Sequence, residues 1–573
     1  STILETIEIA NTVTSLSNFA LRQCSALHTV TFTATSTLLT IGTHVFAQCV
    51  LLSTIVLPST LKSIGSNCFH GSSSLTTLVL PNSVTSMGDG LFWNSGITNI
   101  TLPNTITSIG NHFFIYCSSL TSITIPATVT SIGVWVFSGT SLTSITIPSS
   151  VTSIGGDSFA NVSLTSVVMN SSSVLFSTVF VNINSISSVT FDYVGTIEAN
   201  ACNGRTAITS VSIGNNITSV GISAFQNCSG LTTIAIPDAV TSIGNNAFQS
   251  CNLMTSITFG ANSTLTTIGG SVFSNSGVQS FTLPTSVVTM DTSFYQMPSL
   301  TSFSFGSNTN VTTIGQQTFA NCSALTAITI PAHITIFYSS VFKNCTSLAT
   351  VTFDGVSQLI NISNETFNGC SSLTSITIPA TVTTIGNSAF QNCSGITGIT
   401  ITEAITSMGT NVFTGTSITT VVMNNGNVLF STVFTGITTI STVTFNYAGT
   451  IPDNACNGRT SLSTVTISSG ITSIGNNAFR GCTILTSIII PDTVVSIGAN
   501  SFIDSTILSS VVLGSGVTTI LDSAFRNLPI TTITVPAAVT NIGPNVFRNT
   551  NLTQVIFTGV STLTTIDSYS FAE

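Results

Sequence analysis

Charge is what this sequence most lacks: 4% of its 573 residues are Asp, Glu, Lys or Arg, against about a quarter of an ordinary globular chain. Eight Lys and Arg stand against 17 Asp and Glu, a net charge of -9. No basic stripe exists to neutralise phosphates or to sit on anionic lipid, which sets aside nucleic acid and membrane surfaces as partners. Long apolar runs are missing too. Ser, Thr, Asn or Gly interrupts every apolar stretch short of the ~18 residues that mark a membrane helix. The chain opens STILETIEIA without Met and stops at SYSFAE inside a repeat, and so reads as a processed or partial chain.

The residue patterns of catalysis and metal binding are equally scarce. His28, His44, His70, His112 and His333 are scattered, and none has a Ser or Cys assignable to it as a nucleophile. There is no CxxC and no His or acid at metal-ligand spacing. The acids are dispersed, with Asp238 and Asp492 after IP and Glu403 after IT reading as polar turn residues rather than paired carboxylates. The chain is therefore expected to be non-enzymatic, with no cofactor and no metal.

What the sequence does hold is one sentence repeated. Ser and Thr together number 186, and LTSITIP, SIG and a lone Phe recur with them. Aligned on that Phe, the positions run from Leu21 through Phe46, Phe69 and Phe92, pass Cys202, Tyr295 and Cys456, and end at Phe547 and Phe571. This gives about 25 coils of about 23 residues, inside the leucine-rich-repeat range. In LTSITIP, Leu120, Ile123 and Ile125 alternate with Ser122 and Thr124, the period of a half-buried strand, and Pro126 ends it. VTSIG is a second extended piece, with Gly133 expected to supply a turn conformation. NNAFQNC is expected to form a short helical turn that points Ala and Phe inward. A single coil cannot bury its apolar row alone, so coils stack strand beside strand. The predicted fold is a mainly β repeat solenoid, a right-handed coil with a parallel β-sheet and short helical turns. One elongated solenoid is expected to span residues 1–573 without a separate domain. A block near 164–251 recurs near 418–505, with 434-180, 456-202 and 479-225 all equal to 254.

The unit IPxxVTSIGNNAFQNCSSLTSIT resembles the BspA-like, or Treponema pallidum type, leucine-rich repeats, and the resemblance covers the whole chain. It implies a secreted or surface-displayed protein, on a cell or a virion, of the kind associated with adhesion to host cells or matrix proteins. This chain departs from the commoner pattern in carrying fewer charges at exposed positions.

The candidate binding surface is the outward strand face: Thr29 and Thr31, Ser122 and Thr124, Ser144 and Thr146, Ser188 and Thr190, Ser256 and Thr258, Ser280 and Thr282, Ser375 and Thr377, Thr442 and Thr444. Such columns are read either as β-formers that stay soluble without charge or as a neutral hydroxyl lattice that binds protein or glycan partners, or copies of the chain itself in a filament. Ranks of Thr also resemble ice-binding faces, although the pairs Thr54/Val56, Thr233/Ala235, Gly398/Thr400 and Ser487/Ile489 interrupt the lattice. Ten cysteines lie three residues after the Phe position and read as small buried corner residues rather than disulfides. Asn-x-Ser/Thr sequons at Asn99, Asn170, Asn216, Asn262, Asn310 and Asn551 are the candidate glycosylation sites, whereas Asn227, Asn321, Asn344 and Asn392 share one place in the coil and read as turn residues. NACNGRT, at 200–206 and 454–460, reads first as an Asn-Gly turn and second as a recognition loop.

Overall fold

Alternation along the LTSITIP segment decides which way each side chain points. In the strand Ser144–Ile147, Ile145 and Ile147 are buried while Ser144 and Thr146 are exposed, and Pro148 follows. The proline carbonyl then accepts the Val151 N–H at 3.1 Å, closing the turn into the second extended piece. A computed structural model describes residues 1–573, and contacts group them into two compact units, Ser1–Val278 and Gln279–Glu573. Each unit is a stack of three-sided coils.

In the first unit, Ser144–Ile147, Ser166–Met169, Ser188–Phe191 and Ser210–Ile213 pair in parallel, Ser144 opposite Ser166, Ser188 and Ser210 in turn. The short second side pairs in the same way, Ser15 with Thr40, Ser63 and Ser86. In the second unit, Gly398–Ile401, Thr420–Met423, Thr442–Phe445 and Thr464–Ile467 repeat the first arrangement. Its second side runs as a six-stranded ladder from Gly449–Ile451 to Thr565–Ile566.

The third side overturns the expected helical turn. The only helices are single turns, α1 (Phe176–Val179) and α2 (Phe430–Val433), at equivalent places in the duplicated block. Elsewhere the corner mixes handedness: in the coil of Phe248, Asn246 and Ser250 have φ of 57° and 59°. The N–H groups of Asn246, Phe248 and Ser250 donate to Gly270, Val272 and Ser274 of the following coil at 3.0, 2.9 and 2.8 Å. Between them Ala247, Gln249 and Cys251 close turns within their own coil. A helix would use its N–H groups internally and give the next coil nothing. The mixed corner supplies a third inter-coil ladder.

Inside that ladder the phenylalanines stack. Phe225 and Phe248 lie 5.4 Å apart at 6°, and Phe319 and Phe342 5.4 Å apart at 3°. In one coil the stacked ring is Phe294 rather than Tyr295: it is buried and lies 5.5 Å from Phe319 at 11°. That coil is one residue shorter between its second strand and its corner, which shifts the plug by one position. Where Cys202 and Cys456 replace the plug, Phe191 and Phe445 reach across and meet Phe225 and Phe479 edge-on, both at 6.0 Å.

The SIG glycine has a different purpose from the one expected. Gly133 is not left-handed; a Cβ there would lie 2.6 Å from Asn111 Oδ1 and 2.7 Å from Asn111 N. Gly65 would meet Gly42 and Thr43 backbone at 2.6 Å. Close approach of neighbouring coils excludes a side chain.

Because Phe248 is fully buried between two rings, Phe248→Ala is expected to cost about 3 to 5 kcal/mol. Hydrogen exchange should then accelerate first in the coils of Phe225 and Phe273, and only later in distant ones.

Candidate binding face

Two kinds of hydroxyl occupy the strand sides, and the structure separates them. In many of the LTSIT and VTSIG segments the first Thr is structural: its hydroxyl donates to the carbonyl at the same place in the preceding coil. Thr98 donates to Thr76 at 3.1 Å, Thr165 to Thr143 at 3.1 Å, and Thr419 to Thr397 at 3.2 Å. On the second side Thr130 donates to Thr107 and Thr152 to Thr130, both at 3.1 Å. These rails reinforce the backbone ladder.

The outward pair that follows is different. Ser144 with Thr146, Ser256 with Thr258, and Ser280 with Thr282 are exposed, and their hydroxyls face solvent without a protein partner. Ser188 with Thr190 and Thr442 with Thr444 are half-buried, packed beside their neighbours in the four-stranded sheets. Thr31 is exposed, while the half-buried Thr29 meets His28 Nδ1 at 3.1 Å. Ser122, Thr124, Ser375 and Thr377 are exposed but do not lie on paired strands. Both segments lie in the same thirteen-residue sequence, SSLTSITIPATVT, at 118–130 and 371–383. Grooves of about 440 and about 490 Å³ open beside them, lined by Asn99, Thr101 and Thr124 in one unit and by Thr352, Val356 and Thr377 in the other.

Register brings the outward residues into columns but not into a uniform lattice. Thr146 is followed by Val168, Thr190 and Ser212, and Thr400 by Val422, Thr444 and Thr466. Apolar islands also stand on this face. Val79 is 77% exposed, and Ile489, opposite Val512, is 67% exposed. Their signal in the sequence is the replacement of the second outward Thr by Val or Ile.

At the corners, the cysteines act as hydrogen-bond donors to the previous coil. Cys251 Sγ donates to Phe225 O at 3.2 Å, Cys345 to Phe319 O at 3.1 Å, and Cys393 to Phe367 O at 3.0 Å. Ser72 and Ser505 make the same bond to Phe46 O and Phe479 O, so thiol and hydroxyl are interchangeable there. Burial pushes the thiols of Cys322 and Cys393 up to about 12.

NACNGRT is also structural. Arg205 donates to Ile183 O at 2.8 Å and Phe180 O at 2.7 Å, capping the end of α1, and its guanidinium lies 5.0 Å from the Phe176 ring centre. Arg459 repeats this on α2, donating to Phe434 O at 2.8 Å and to Ile437 O. Among the sequons, Asn227, Asn321, Asn344 and Asn392 are left-handed corner residues with φ near 60°. Asn99, Asn216, Asn262 and Asn551 are exposed. Asn310 is exposed with its amide donating to Thr285 O, whereas Asn170 is half-buried with Oδ1 enclosed.

The profile of the family described as BspA type Leucine rich repeat region (6 copies) matches residues 1–121, 107–232, 218–349, 360–485 and 449–573. No curated protein matches the sequence. Similar solved structures include a leucine-rich repeat protein from Bacteroides ovatus, 23% identical, covering 76% of this chain and 83% of its own, with a TM-score of 0.28. Another, from Eubacterium ventriosum, is 20% identical over 56% of this chain and 90% of its own, with a TM-score of 0.30. A leucine rich cell surface protein from Faecalibacterium prausnitzii is 18% identical over 80% and 83%, with a TM-score of 0.21.

The raised thiol pKa values have a chemical consequence, because alkylation requires thiolate. The corner cysteines from Cys49 to Cys482, whose thiols burial raises, are expected to resist iodoacetamide in the native chain at about pH 8, where an unfolded thiol of pKa ~8.5 reacts. Mass spectrometry of native and denatured samples checks this, with labelling expected only after unfolding.

Proposed function

The chain belongs to the BspA-type leucine-rich repeat family, and on that footing we propose that it is a non-enzymatic binding scaffold, secreted or displayed at a cell surface, that holds protein or glycan partners along its outward strand face. The observation that carries this reading is the division of labour among hydroxyls. One set is committed to neighbouring carbonyls, and a second, adjacent set is left to solvent together with exposed Val79 and Ile489. A neutral surface with apolar islands suits contacts made by shape, hydrogen bonding and modest apolar burial. It offers little long-range steering.

Both units are taken as parts of one repeat region, since the same coil and the same duplicated block recur in each. Multiple equivalent faces favour multivalent attachment, in which weak contacts add through effective concentration. No helix is long and apolar enough to cross a membrane. An ice-ordering face has less support, because Val168 and Val422 interrupt the threonine columns in register.

The test is attachment of the purified chain to host cells or matrix preparations. Binding is expected to change less than about twofold between low salt and about 1 M salt, although the Debye length shrinks to ~3 Å. Replacing Thr146 and Thr258 together by Lys should weaken it several-fold, the equivalent faces of the second unit remaining, while leaving the fold intact. Steep loss with salt, or full binding by the double variant, would contradict the proposal.

A further inference from the structure

The corner of the first coils differs in composition from the rest of the chain. Both tryptophans, Trp93 and Trp135, and four of the five histidines fall within the first 135 residues. Three of these rings form a stack across successive coils: His70 lies 5.0 Å from Trp93 at 20°, and Trp93 lies 6.0 Å from His112 at 20°. Phe19 and His44 stack at 5.2 Å and 19°, with the Arg22 guanidinium 5.6 Å from the Phe19 ring centre. Phe19 is 50% exposed and Trp93 36%.

Rings stacked in this way cover one another's faces. What they offer outward is edges, the positive part of the aromatic quadrupole, with the Arg22 guanidinium beside them. A nucleobase needs an open face to stack on, and within each stack the inner ring faces are already covered. A carboxylate meets favourable edges and donors.

The charged groups at this corner point the same way. Arg22, His44, His70 and His112 are the cationic or protonatable groups. Asp89 is the nearby acid in the chain, and its carboxylate already accepts the Asn111 N–H at 2.8 Å and the Asn111 side-chain N–H at 3.3 Å. Asp157 lies two corners beyond His112. Burial, with His44 and Arg22 beside it, holds His70 below the usual imidazole range, and burial with Arg22 does the same for His44. These rings are thus neutral near pH 7.5 and charge only on acidification.

We propose that the corner from Phe19 to His112 is a second binding surface, separate from the strand face, that takes an acidic segment of a partner protein and holds it more tightly as the pH falls. The sign follows from linkage. A bound carboxylate favours the imidazolium form, so binding takes up protons and strengthens as pH drops through the imidazole range.

Fluorescence anisotropy of a labelled oligoglutamate peptide with the full chain tests this, at about pH 7.5 and about pH 5.5, either side of the ordinary imidazole pKa of ~6.5. Affinity is expected to be roughly tenfold or more higher at the lower pH, with a change in indole emission from Trp93. The double variant His44→Gln, His70→Gln should lose most of the pH response. Arg22→Gln should weaken binding at both pH values while a pH response persists with its midpoint moved up, because His44 and His70 lose a cationic neighbour, and circular dichroism confirms that each variant is folded. Equal affinity at the two pH values, an undiminished pH response in the double variant, or tighter binding of an oligouridylate than of oligoglutamate would overturn the proposal.

Discussion

Every coil must give its backbone N–H and C=O groups to the coils on either side, because no coil can satisfy them alone. Most of the structure follows from keeping that exchange in register on three sides. The strands pair like positions, Ser131 with Ser153 and Ile132 with Ile154 on one side, Ser166 with Ser188 and Val167 with Val189 on another. The SIG glycines bring backbones too close for a Cβ, and the left-handed corner residues turn alternate N–H groups toward the next coil. The shortage of charge has the same origin. In a register of identical positions a charged residue lies about 4.8 Å from its own copy, where like charges repel. Hydroxyls repeat without that cost, and Thr also favours the extended backbone.

The same requirement divides the surface into functional regions. Where a hydroxyl can reach a carbonyl of the preceding coil it reinforces the stack, as Thr165 does. One residue further on, Ser166 and its equivalents project from the sheet. Function is therefore left to residues that the ladder does not use: outward strand positions such as Thr146 and Thr258, and corner side chains that the left-handed backbone holds outward, such as His44 and His112. The duplication copies the structural devices faithfully, α1 with Arg205 and α2 with Arg459. It does not copy the aromatic corner, whose tryptophans occur only in the first unit.

The strand sides were legible in the sequence because period-2 alternation and a terminating proline are properties of one segment. The buried Phe plug and the corner cysteines could also be read from a single unit, as small or large apolar residues at a fixed place. The corner backbone could not. Asn-Asn-Ala-Phe-Gln is compatible with a helix, and nothing within one coil shows that Asn246 and Ser250 are left-handed. The reason is a set of bonds to the next coil. The glycine of SIG was assigned to backbone conformation for the same reason, since the Asn111 atoms that exclude its Cβ lie 22 residues away. Tyr295 is aligned as a plug by the repeat spacing, whereas the missing SIG glycine, which leaves Met290 four residues before Phe294 where Ile243 lies five before Phe248, places Phe294 in the stack. On the outward face, the alternation of the pattern shows which side chains point away from the core, while their division into free and half-buried hydroxyls depends on the packing of neighbouring strands.

The mixed-handed corner that bonds each coil to the next is the central claim, and one pair of substitutions isolates it. Asn411 and Thr414 are both exposed residues of the same corner, but Asn411 has a φ of 56° and Thr414 is not left-handed. Chemical denaturation of Asn411→Val and Thr414→Val compares a β-branched residue in the two backbone conformations. The account predicts that Asn411→Val loses about 1 to 2 kcal/mol, while Thr414→Val stays within about 0.5 kcal/mol of the parent. Equal stabilities for the two variants would contradict it.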